Sequence, residues 1–101
     1  MVTDRLDPYD LLAEESVLGA GLIDSNAIEE VRGWLKVDHF YRDKNQWIYQ
    51  AMLNLLDQEC AINTVTVSHE LDSINRLDDI GGTPFLLNLI ENAVTSVYND
   101  Y

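Results

Sequence analysis

The sequence predicts an all-α fold, a compact bundle of five to six short helices, and three observations carry that prediction. Apolar residues recur at helical spacing in segment after segment, most clearly at Trp47, Ile48, Ala51, Met52, Leu55 and Leu56. Cap signatures such as Asn26-Ala27-Ile28-Glu29 and Asp43-Lys44-Asn45-Gln46 precede the apolar stripes. The single β-branched cluster, Thr64-Val65-Thr66-Val67, would make a lone strand with open edge bonds, so it reads as helix. At 101 residues and 47% apolar content the chain has material for one core and one domain.

Residues 1–9 are polar and end in Asp7-Pro8-Tyr9, which reads as an extended arm in front of a helical head over residues 10–101. The first helix is expected over residues 10–23. Leu11, Leu18 and Leu22 line its stripe with Val17 beside them, and Glu14 and Glu15 fall in its first turns. Gly19 is expected to admit another helix and Gly21 to announce the helix end. Asn26 should cap a second helix carrying Ile28, Val31 and Leu35, with Trp34 adjacent.

A turn through Asp38-His39-Phe40-Tyr41 leads to the strongest helix, followed by a connector at residues 58–62. Asn63, with Thr66 three positions on, should start a helix bearing Val67, Leu71 and Ile74. Gly81-Gly82-Thr83-Pro84 then makes a sharp corner. The glycines supply positive φ, Thr83 an N-cap and Pro84 a first helical residue. A helix over residues 85–90 and a last stretch over 94–101 complete the pattern, which stops without a C-cap and so looks like part of a longer protein.

Composition narrows the function. A net charge of −12 argues against contact with phosphate backbones, which require Lys and Arg. No apolar run nears the ~20 residues that a bilayer crossing takes, and the start lacks a signal peptide's apolar stretch, so the expected location is the cytoplasm. The lone Cys60 excludes an internal disulfide and reads as a small, partly buried loop residue. Catalytic patterns are missing from the sequence. There is no phosphate-binding G-x-x-x-x-G-K-[ST], His39 and His69 have no ligand partners at zinc spacing, and the adjacent acids Glu14-Glu15, Glu29-Glu30 and Asp78-Asp79 point to different helix faces. No catalytic, cofactor or metal residue is therefore assigned. Among the aromatics Trp34, Phe40, Tyr41, Trp47, Tyr49 and Phe85, most are expected in the core. Phe85, Tyr98 and Tyr101 are the candidate partner contacts, with inward packing the plainer reading of Phe85.

Three segments resemble the N-terminal domain of DnaB-type replicative DNA helicases. Pro8-Tyr9 with Ala13-Glu14-Glu15-Ser16-Val17-Leu18-Gly19-Ala20 is similar to that family's opening helix. Phe40-Tyr41-Arg42 running into Trp47-Ile48-Tyr49-Gln50-Ala51-Met52 is similar to its central helix and the approach to it. Leu77-Asp78-Asp79-Ile80-Gly81-Gly82, with Leu86, Leu89, Asn92-Ala93-Val94, Asn99 and Tyr101, matches its last segments. His39, Asn45, Pro84 and Thr95 depart from the pattern, as in a divergent viral or bacterial member. The resemblance implies a collar module of a hexameric ring that pairs with its own kind and helps recruit primase and a helicase loader. The helical hairpin and the RecA-like motor, which would bind ATP and Mg, are absent from this chain. An alternative of another class is a free-standing helicase-like adaptor that binds a replicative helicase or its loader. A small enzyme using the carboxylate pairs is the least supported reading.

Overall fold

A computed structural model describes the backbone of residues 8–99 and the side chains of residues 11–95. It contains five α-helices and two 3-10 turns among the described residues: α1 (Pro8–Ile23), α2 (Ser25–Val31), a turn at Val37–His39, α3 (Asp43–Asp57), α4 (Thr64–Ser73), a turn at Asp78–Ile80 and α5 (Gly82–Asn99). The Cα radius of gyration is 13.0 Å, the value that about 100 residues give in one body.

α1 is the hub, packing on α5, α2 and α3, while α4 closes the other side of α3 and meets α5. Leu18 and Leu22 enter the core as their spacing implied, joined by Ile28, Phe40, Ile48, Tyr49, Met52, Leu55, Val67, Leu71, Ile80, Leu86 and Leu89. Each such side chain contributes roughly 2 kcal/mol when withdrawn from water. The Tyr49 ring packs 4.8 Å from that of Phe40. Its hydroxyl donates to the Leu35 carbonyl at 2.8 Å, and burial pushes its pKa upward.

α1 begins at Pro8, not Asp10, because proline suits a first helical turn. The expected arm thus gives way two residues early, and residues 1–7 lie outside the described residues. Both α1 glycines are sites of close approach. A Cβ on Gly19 would stand 2.4 Å from the Leu89 carbonyl oxygen and 2.9 Å from the Ala93 Cβ of α5. One on Gly21 would stand 2.6 Å from the Ile28 side chain, so Gly21 admits α2 and does not end α1. That end comes at Asp24, whose N–H still bonds the Ala20 carbonyl while its carboxylate accepts the Asn26 N–H at 3.0 Å. Asp24, not Asn26, is therefore the cap, and one extended residue joins two helices. α2 also stops at Val31, before Leu35, which leaves Trp34 on the surface.

α3 starts without a side-chain cap of its own. The expected signature from Asp43 gives no cap; the start of α3 is tied to α1 by Glu14, whose carboxylate accepts the Tyr41 N–H at 2.6 Å and the Asn45 side-chain amide at 3.1 Å. α4 keeps the predicted cap: Asn63 Oδ1 accepts the Thr66 N–H at 2.9 Å, and the Asn63 N–H donates to the Thr66 hydroxyl at 3.0 Å. Left-handed residues finish three elements. Glu59 at φ 58° ends α3, Asn75 at φ 59° ends α4, and Gly81 at φ 102° ends the second 3-10 turn. Cys60, just past Glu59, is exposed and not partly buried. The segment expected over residues 85–90 and the described part of the one expected over 94–101 belong to a single helix, α5, and residues 100–101 lie outside the described residues.

Gly19→Ala should cost at least about 2 kcal/mol, as overpacking against a backbone atom does, read as a lower midpoint in urea. An unchanged midpoint would show that α1 and α5 separate freely.

Candidate partner-binding surface

Phe85 sits where the corner aims it. The Asp78–Ile80 turn plants Ile80 in the core, and the N–H groups of Gly81 and Gly82 then bond back to the carbonyls of Asp78 (3.1 Å) and Leu77 (2.9 Å). Gly82, at φ 74°, redirects the chain into α5. The Thr83 hydroxyl, foreseen as an N-cap, lies 3.0 Å from the Ser68 hydroxyl and links α5 to α4. Phe85 follows, partly buried and packed against the core, with the Lys44 ammonium 3.9 Å from its ring centroid.

One turn along α3, Trp47 is also partly buried. The Arg76 guanidinium lies 4.3 Å from its ring centroid and 2.9 Å from Asp79. Phe85 and Trp47 therefore each carry a cation, an arrangement worth about 0.5–1 kcal/mol apiece at a surface. Phe85 is neither wholly core nor wholly free: it packs inward, and a flexible lysine covers it. The side chains of Tyr98 and Tyr101, the other sequence candidates, lie outside the described residues.

A second feature was missed by sequence reasoning. Between α1 and the chain at residues 34–40 runs a groove of about 220 Å³, lined by Glu14, Val17, Trp34, Leu35, His39 and Phe40 among others. Trp34 is 64% exposed. Its expected place in the core followed from a helix that ends three residues too soon, and Tyr41, in the connection before α3, is exposed as well. The only available signal was the double reading of Trp34, beside the apolar stripe and not on it.

His39 has a structural role: the Lys36 N–H donates to its Nδ1 at 3.1 Å, closing the turn that leads to Phe40. His69 is exposed on α4. No group of three His, Cys, Asp or Glu among the described residues could hold a metal ion, and no described helix is long and apolar enough to cross a membrane.

Five helices around one apolar core make this an all-α domain. The profile of the family described as DnaB-like helicase N terminal domain matches residues 6–101, and the chain belongs to that family. It is 40% identical over 97 residues to the replicative DNA helicase DnaB of Mycobacterium leprae, covering 96% of this chain and 16% of that one. To the replicative DNA helicase DnaC of Bacillus subtilis it is 35% identical over 101 residues, covering 100% of this chain and 22% of that one. The chain thus spans at most about a fifth of these relatives' length. Its fold superposes on the crystal structure of the N-terminal domain of DnaB helicase from Mycobacterium tuberculosis with a TM-score of 0.79 and 41% identity, over 81% of this chain and 57% of that one.

Phe85→Ala should lower stability by about 2 kcal/mol, below the ~3–5 kcal/mol of a fully buried Phe, measured by thermal melting. A melting point equal to that of the parent would show a free ring, and a loss within that range would show a core residue with no face for a partner.

Proposed function

We propose that this chain is the protein-recognition and ring-assembly head of a hexameric replicative DNA helicase, contributing to subunit pairing and to recruitment of primase or a loader during DNA replication. The observation that carries this reading is the family match over residues 6–101, together with relatives named as replicative helicases. The exposed apolar side chains Leu12, Ile23, Leu87 and Val94 give such a head surface to share with neighbours. Its charge of −12 leaves nucleic acid to other parts of the ring. In the whole protein, ATP and Mg would serve the motor, and the head would act in the cytoplasm by shape alone. Phe85, Tyr98 and Tyr101 are the proposed contacts.

Titration of the cognate primase into the purified chain, followed by calorimetry, tests the reading. Saturable binding is expected, weakened about tenfold, or ~1.4 kcal/mol, by Phe85→Ala. Absence of heat with primase, combined with a strictly monomeric mass by light scattering at high concentration, would refute it.

A further inference from the structure

The groove beside Trp34 offers a specific recognition chemistry. Its walls Val17, Leu35 and Phe40 are apolar, Trp34 forms an exposed aromatic lip, and Glu14 is the one carboxylate among the lining residues. Each Glu14 oxygen already accepts one bond, Oε2 from the Tyr41 N–H and Oε1 from the Asn45 amide. A carboxylate has about four acceptor sites, so capacity remains at the groove. Those same two bonds fix the carboxylate in place, so it cannot swing away from an incoming ligand. Indole is the aromatic surface that cations favour most.

An occupant that suits Glu14, Trp34 and the apolar walls has an apolar stem and a cationic end. A purely apolar side chain would cover the Glu14 charge without replacing the water it loses. An acidic one would meet both Glu14 and the −12 field of the chain. Arginine fits better than lysine, because its planar guanidinium stacks on an aromatic face and forks onto a carboxylate, whereas an ammonium is a strongly hydrated point charge. The space of about 220 Å³ suits one long side chain and not a helix.

We propose that this groove seats an arginine side chain presented on an apolar segment of a partner protein, its guanidinium between the Trp34 ring and the Glu14 carboxylate. The proposal goes beyond the helicase-head reading, which names partners but no recognised side chain, and its test does not depend on that reading. Three capped tripeptides, acetyl-Leu-Arg-Leu-amide and its counterparts with norleucine or glutamate at the centre, are titrated into the isotope-labelled chain and followed by amide NMR shifts. Saturable shifts at Val17, Leu35 and His39 are expected with the arginine peptide, about fivefold tighter than with norleucine, in line with a cation–π contact at an exposed ring. The glutamate peptide should not saturate. Trp34→Ala should abolish the arginine preference while the melting point holds, since the ring is largely exposed. Equal affinity for arginine and norleucine, shifts centred elsewhere, or an arginine preference that survives Trp34→Ala would each overturn the proposal. None of these outcomes bears on primase binding through the corner at Phe85.

Discussion

One carboxylate holds the joint on which the rest of the head depends. Glu14, on α1, accepts the Tyr41 N–H and the Asn45 amide, and so fixes where α3 begins relative to α1. Asn45 is fully buried, and its Oδ1 has no hydrogen-bond partner among the described groups. Such an arrangement is costly unless the amide end is well bound, because an unsatisfied buried polar atom costs about 1–3 kcal/mol. The charge-assisted bonds from Glu14 offset that cost, and a negative group near the start of α3 also suits its dipole.

From this joint the geometry propagates along α3. Its inner face carries Ile48, Tyr49, Met52 and Leu55 into the core, and its outer face carries Lys44 and Trp47 to the corner built by Gly81 and Gly82. The same joint brings Phe40 under the groove wall, where the 3-10 turn closed by His39 delivers it. The two surface features thus share one rigid support and differ in chemistry. At the corner, aromatic rings are already covered by the chain's own cations; at the groove, no cation among the described residues is paired with the Trp34 ring or the Glu14 carboxylate. A domain that acts by being recognised is expected to hold such features on helices fixed by a common core.

Periodicity and composition made most of the fold legible. The stripe from Trp47 to Leu56 became α3, Asn63 and Thr66 formed their cap, and the Gly81-Gly82 corner turned where backbone freedom allows it. These signals are local, and local signals survive folding. Several of the misreadings share a cause: they concern groups whose partner lies on another element. Glu14 reaches residues 27 and 31 positions away, so its role in anchoring the approach to α3 had no signature at Asp43. Gly21 faces a side chain of the next helix, while Trp34 is exposed for a local reason, because α2 stops at Val31. The groove was illegible because its walls join α1 to residues 34–40. Candidate contacts were legible only as residue types: Phe85 was found, but not the Lys44 that covers it.

The most direct measurement is hydrogen exchange at the Tyr41 amide in the parent chain and in Glu14→Ala. If Glu14 organises the joint, that amide is protected in the parent and exchanges freely in the variant, with a global loss of about 2–3 kcal/mol from the orphaned Asn45 amide. A variant that keeps both its Tyr41 protection and its stability would show that α1 and α3 find each other without the carboxylate, and the account would be wrong.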